Sequence, residues 1–247
     1  MKLRTLSCTL VLSMTALMAA LPAQAAITLD RTRGSFDGSH TSESVSISNQ
    51  NKTLPYLAQA WVEDAQGNKI ENPLTALPPL QRVEPGAKSQ IKLQVTGGTV
   101  PLAQDKESLY YFNLREIPPK SNKPNTLQIA LQTRVKLFYR PAALALKSGE
   151  IPQEALTLTR NGDRYTVNNP TGYYVTIVHA AASEKGADVA GFNADMVAPK
   201  ASLTLGGSAA ALGSHPVLTY INDYGGRPKL IFSCSGSTCK VTETKVG

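Results

Sequence analysis

The 247-residue chain is short of most of what active-site chemistry draws on: it carries three histidines, three cysteines and one tryptophan. It contains no Gly-x-Ser-x-Gly elbow, no His-Glu-x-x-His pair and no P-loop, which argues against elbow-type hydrolysis, zinc-protease chemistry and nucleotide handling. A Ser-His-Asp triad can assemble from distant positions. Yet His40, His179 and His215 stand in turn-like or strand-like stretches with no signature beside them. The chain therefore reads as a non-enzyme that needs no cofactor. Helical periodicity never lasts beyond two turns, and no later segment approaches the roughly 20 apolar residues that cross a bilayer. Basic residues are scattered rather than clustered or interleaved with stacking aromatics, so there is no nucleic-acid footprint.

Beyond these absences, the N-terminus is informative. Lys2 and Arg4 precede an uncharged run from residue 5 to residue 20 that leads into Leu-Pro-Ala-Gln-Ala. This is the pattern of a secretory signal peptide, with cleavage expected before Ala26 and no stable membrane insertion of the remainder. Without residues 1–25 the formal charge falls from +7 to +5, that is, 23 basic against 18 acidic residues. Cys8 leaves with the signal. Cys234 and Cys239, either side of Ser-Gly-Ser-Thr and between alternating segments, suit a disulfide closing a hairpin in an oxidising compartment. A metal site is the alternative, but the spacing is not that of a zinc knuckle and no His lies near.

Almost every segment alternates apolar and polar residues, as in "VSIS", "YLAQAWV", "QIKLQV" and "YYFNL", with Asn-, Gly- and Pro-rich turns between them. Regularly spaced strands over this length predict an all-β protein of two antiparallel sandwiches with about seven strands each. Alternation lapses in "PAALALKSGEI", residues 141–151, which places a boundary near residue 143: one domain over 26–143 and a second over 144–247. "VSISNQNKTLPYLAQAWV" and "YTVNNPTGYYVTIV" echo each other as strand, Asn-rich turn and aromatic-led strand. Trp61, in an apolar alternating strand, is expected in the core, which counts against a shallow sugar site.

One run is too long for its own domain. In "NTLQIALQTRVKLFYRP", residues 125–141, the odd positions include Leu127, Ile129, Leu131, Val135, Leu137 and Tyr139, and the even ones Gln128, Gln132, Arg134, Lys136 and Arg140. Strands commonly run about 5–6 residues, so an alternating run of more than a dozen can extend past its own core. Taken alone, Leu127, Ile129 and Leu131 would be read as core.

The stretch "LAQDKESLYYFNLREIPP", residues 102–119, resembles the signature of the periplasmic chaperones of Gram-negative pili. "AITLDRTRGSFDG", "PPLQRVEPGAKS" and "YINDYGGRP" fit the same family, so the resemblance covers nearly all of the chain after residue 25. It implies two immunoglobulin-like sandwiches in an L or boomerang arrangement. It also implies a periplasmic chaperone that completes the sandwich of a pilin, fimbrial or adhesin subunit with its own strand and delivers it to an outer-membrane usher. Carried over by position, Leu127, Ile129 and Leu131 would fill the subunit groove. Arg33 and Lys136 would bind the subunit's C-terminal carboxylate, and Glu107, Arg140 and Asp223 would form an interdomain charged network, with Arg227 a lesser candidate. The unloaded edge could be capped by a second copy of the chain. The connection "KSNKP" resembles the short-loop branch, which in the family serves rod-like, adhesin-tipped pili. The alternative from another class is a structural or adhesive fibre component. It would need a long alternating N-terminal extension, whereas the chain enters "AITLDRTR" almost at once.

Overall fold

The computed structural model describes residues 25–97 and 102–247. The expected signal peptide, residues 1–25, falls, but for Ala25, outside the described residues. Period-2 segments give ten strands in the first part: β1 (Ile27–Leu29), β2 (Gly34–Asp37), β3 (Ser42–Asn49), β4 (Tyr56–Glu63), β5 (Lys69–Ile70), β6 (Leu74–Leu77), β7 (Leu80–Val83), β8 (Lys88–Val95), β9 (Ser108–Ile117) and β10 (Gln132–Arg140). One sheet has the order β1-β3-β8-β6. The other runs β2-β10-β9-β4-β5, with β7 also on β4. Phe36, Ile47, Val62, Leu93, Phe112 and Leu137 are among the residues buried between them, and Phe36 stacks on Tyr139 with ring centroids 5.8 Å apart.

The second part holds β11 (Thr157–Asn161), β12 (Arg164–Asn169), β13 (Val175–Ala181), β14 (Asp195–Val197), β15 (Ala201–Thr204), β16 (Val217–Ile221), β17 (Lys229–Ser235) and β18 (Thr238–Lys245), with one helical turn α1 (Ala209–Leu212). Here the eight strands form one continuous ladder, β14-β13-β16-β17-β18-β11-β12-β15. It folds over so that β14 lies against β12 and β15 and encloses a second core, in which Leu158, Val167, Ile177, Leu218 and Phe232 are buried. The ladder is continuous because β18 pairs with β17 along its length and with β11 through Thr238–Lys240. Cys234 and Cys239 face each other across that hairpin and are joined by a disulfide.

The echo between the two parts has a physical basis. Asn49 is 1% exposed, and its side-chain amide donates to the carbonyls of Leu54 and Val83 while its oxygen accepts from Asn51 N–H. Asn169, 2% exposed, donates to the carbonyls of Tyr173 and Ala198 and accepts from Thr171 N–H. Each asparagine ends a strand and satisfies backbone carbonyls that burial would otherwise leave unpaired.

Trp61 is not a core residue. In β4 the inward positions are Ala58, Ala60 and Val62, which puts Trp61 on the outer face, half-buried, with the Arg115 guanidinium 5.1 Å from its ring and its indole N–H donating to Glu63. The alternation was read correctly but not its parity: Ala58, Ala60 and Val62 face inward and Trp61 outward.

Candidate functional site

The long alternating run is split by the fold. From Gln132 onward it is β10, antiparallel to β9, with Val135 opposite Phe112 and Leu137 opposite Tyr110. Residues 126–131 precede the strand and make no backbone–backbone hydrogen bond among the described residues except that Leu131 carbonyl accepts from Glu116 N–H. The apolar odd row therefore leaves its own core step by step: Tyr139 is 6% exposed and Leu137 1%, while Leu131 is 42%, Ile129 63% and Leu127 85% exposed. Three large aliphatic side chains in a row on the surface are the unusual feature, since apolar clusters of this kind mark interaction sites. The connection before them is held by its own polar groups. Gln128 side chain donates to Pro119 carbonyl and accepts from Ser121 N–H, and Thr126 hydroxyl donates to Lys123 carbonyl.

On its other side β10 is covered only at its far end. β2 pairs with it in parallel, Leu137 opposite Gly34 through Arg140 opposite Asp37. Before Leu137 that edge has no strand beside it among the described residues, so its N–H and C=O groups are open to pairing. Arg33 directly precedes β2 and Lys136 directly precedes the part of β10 paired with β2, and the Arg33 charge bears on Lys136. The two cations thus mark the point where the covered part of the edge begins.

Arg33 reaches out of its own sheet. Its Nη1 donates to the carbonyls of Ile221 (2.8 Å) and Asn222 (3.4 Å), its Nη2 donates to Thr176 hydroxyl (3.1 Å), and its guanidinium lies 5.5 Å from the centre of the Phe138 ring. Burial pushes its pKa down. Burial, and then the Arg33 charge, also pull Lys136 below the ordinary lysine value, opposed by Asp195. No carboxylate lies within ion-pairing distance of either cation among the described residues. Two partly desolvated cations without an ion-pair partner raise the local positive potential, and a planar guanidinium has the geometry to pair with a carboxylate.

Glu107, Arg140 and Asp223 are brought together. Arg140 Nε donates to Glu107 Oε1 at 2.8 Å, while Nη1 and Nη2 donate to the two Asp223 oxygens at 2.7 and 3.1 Å. Glu107 is 3% exposed, and its second oxygen accepts from Tyr174 N–H at 2.8 Å. Glu107 and most of Arg140 are buried in this junction, while Asp223 lies at its edge. Burial pushes the Glu107 carboxyl up, with Arg140 and Tyr174 N–H pulling the other way. Burial alone would lower Arg140, but its bonds to Asp223 and Glu107 hold it above its usual value. Phe138 packs on Tyr174 at 5.4 Å, Tyr173 hydroxyl donates to Leu144 carbonyl, and Lys200 pairs with Asp105 across the same junction. Arg227 is exposed and takes no part in these contacts.

Comparison with known proteins decides what these features belong to. Residues 26–145 match the family described as pili and flagellar-assembly chaperone, PapD N-terminal domain, and residues 152–232 match the pili assembly chaperone PapD C-terminal domain. The chain belongs to the PapD family of pilus-assembly chaperones. This chaperone is 51% identical to Chaperone protein PapD of Escherichia coli over 93% of its own length and 98% of that protein. It is 50% identical to the probable fimbrial chaperone YfcS of E. coli strain K12, over 98% and 94% of the two chains. Its fold is similar to the structure of the Salmonella enterica SafA pilin in complex with the SafB chaperone, with TM-score 0.69, 26% identity and coverage of 87% and 99%. The chaperone is thus all-β with two immunoglobulin-like sandwiches, and its family's function is not enzymatic. No helix among the described residues is long and apolar enough to cross a membrane.

Proposed function

We propose that this chaperone holds pilin, fimbrial and adhesin subunits in the periplasm by lending them the open edge of β10, and hands them to an outer-membrane usher. On this reading residues 1–25 are removed on export, 26–143 form the lending domain and 144–247 the supporting one. The observation that carries it is the apolar row that leaves its own core beside an unpaired edge and ends at Arg33 and Lys136.

The geometry has a direction. A subunit strand on the free edge meets the start of β2 at Arg33, so the end that abuts the two cations must be the end that carries an anion. If that anion is the subunit's C-terminal carboxylate, the strand runs parallel to β10 with its C-terminus at Lys136. Leu127, Ile129 and Leu131 then lie along the subunit's incomplete sandwich as its missing strand. Full burial of such a side chain stabilises by about 1.5–3 kcal/mol, and the two most exposed of the three gain most. An ionic stop fixes register, because a slip of one residue would turn the whole row to the wrong face. Pairing to an edge is reversible, so the N-terminal extension of the next subunit can replace the chaperone strand with no chemical step.

The test is periplasmic co-expression with a pilin encoded beside the chaperone, followed by affinity capture. Wild type should recover a one-to-one complex, and folded Arg33→Ala, Lys136→Ala and Leu131→Glu variants should not. Equal capture by all four would refute the site assignment.

A further inference from the structure

The Arg33 guanidinium is set by the second sandwich rather than by the one it belongs to. All three of its hydrogen bonds go there, to Ile221 and Asn222 carbonyls in or just after β16 and to the Thr176 hydroxyl of β13. Two of these acceptors are backbone atoms, which no side-chain choice alters; Thr176 is the only side chain among them.

Thr176 is itself unusual. It is 7% exposed, within a strand whose sequence Val-Thr-Ile-Val-His-Ala-Ala is otherwise mostly apolar, and valine would match it in shape. Burying a hydroxyl costs free energy unless a partner is provided. Among the described residues its side-chain oxygen has one hydrogen-bond partner, Arg33 Nη2. The hydroxyl at this position is therefore explained by Arg33 and by nothing else in β13.

A guanidinium has five N–H donors in a fixed plane. Two bonds at Nη1 and one at Nη2 leave Nε–H and one Nη2–H without an acceptor among the described residues. Those two atoms make up the side-on edge that pairs with a carboxylate through two parallel bonds.

We propose that Thr176 is a positioning residue: its hydroxyl, together with the Ile221 carbonyl, holds the outer end of Arg33 so that the Nε–Nη2 edge is presented to the subunit carboxylate. This rests on the carboxylate reading given above. It makes recognition of the subunit terminus a property of both sandwiches and couples it to their relative orientation.

The experiment uses the full chaperone and a synthetic 16-residue peptide of alternating apolar residues, in one form with a free C-terminal carboxylate and in another with an amide. The readout is the ratio of the two dissociation constants. Wild type should favour the carboxylate by about tenfold or more, as expected for a charge-assisted pair. Thr176→Val should lower that ratio at least threefold while leaving amide-peptide binding unchanged, and Thr176→Ser should restore it. If Thr176→Val keeps the wild-type ratio, or if it weakens both peptides equally, Thr176 does not position Arg33 and the inference is overturned. If wild type itself shows no preference for the carboxylate, the reading of Arg33 and Lys136 fails first, and the inference falls with it.

Discussion

Removing Arg140 should expose how the two sandwiches are joined. In Arg140→Ala the Glu107 carboxylate, 3% exposed, loses its only side-chain partner among the described residues and keeps one backbone donor, Tyr174 N–H. Breaking a buried pair from one side costs about 3–5 kcal/mol, and the surviving N–H puts this case at the low end, about 3 kcal/mol. The bond to Asp223, whose side chain is 35% exposed, adds only about 0–1 kcal/mol. Adding Glu107→Gln to Arg140→Ala removes the stranded charge and should recover about half of the loss.

The same variant carries a pH signature. A carboxyl whose folded pKa lies above its unfolded value binds its proton more tightly in the fold, so its contribution to stability is greatest below the ordinary value near 4.5 and is lost as pH rises through the folded value. Burial already raises Glu107, and removing Arg140 removes an opposing attraction, so Arg140→Ala should lose stability more steeply than wild type above pH 4.5. Urea denaturation of wild type, both single variants and the double variant between pH 4 and 8 reads all of this. A loss below about 1 kcal/mol at pH 7, or pH profiles that run parallel, would refute a buried role for this junction.

Three other outcomes follow from the geometry. Lys136→Met should raise the stability of the unloaded chaperone, by no more than about 1 kcal/mol because the ammonium is half in solvent, while abolishing pilin capture; a loss of stability would mean that Lys136 is a structural partner rather than a strained cation. Changing Leu127, Ile129 and Leu131 together to Ser should leave the urea midpoint of the free chaperone nearly unchanged, within about 0.5 kcal/mol per site, because these side chains are exposed; loss of the fold would return them to the core. Reducing Cys234–Cys239, or replacing both cysteines by Ser, opens a loop of only six residues and should cost about 2 kcal/mol, seen as a lower unfolding temperature of the second sandwich.

Much of this was legible in the sequence because β structure writes its burial pattern at period 2. Leu127, Ile129 and Leu131 continue the row of Leu137 and Tyr139; the excessive length of the row raised the question, but the residues alone read as core and only the family resemblance set them outside it. Three things were hidden. Whether Trp61 or its neighbours Ala60 and Val62 faced inward is a matter of which face of β4 turns to the core, and period 2 with apolar residues on both faces does not reveal it. The parallel pairing of β2 with β10, which leaves Arg33 and Lys136 directly before the paired stretch, joins segments about a hundred residues apart. Thr176 gave no signal, since a threonine in a strand is ordinary until a guanidinium from the other sandwich is found on its hydroxyl. The Asn49 and Asn169 turns lay between: the echo was visible, but the carbonyls they satisfy were not.

The most direct test of the lent edge is backbone hydrogen exchange of residues 126–136, measured in the free chaperone and in a purified complex with its pilin. These amides have little pairing on one side in the free protein. If the subunit strand joins β10, the even-numbered amides from 128 to 136, whose neighbours at odd positions face β9, should slow by orders of magnitude on binding while β16–β18 stay as they were. A stable complex in which these amides exchange as fast as in the free chaperone would contradict the account.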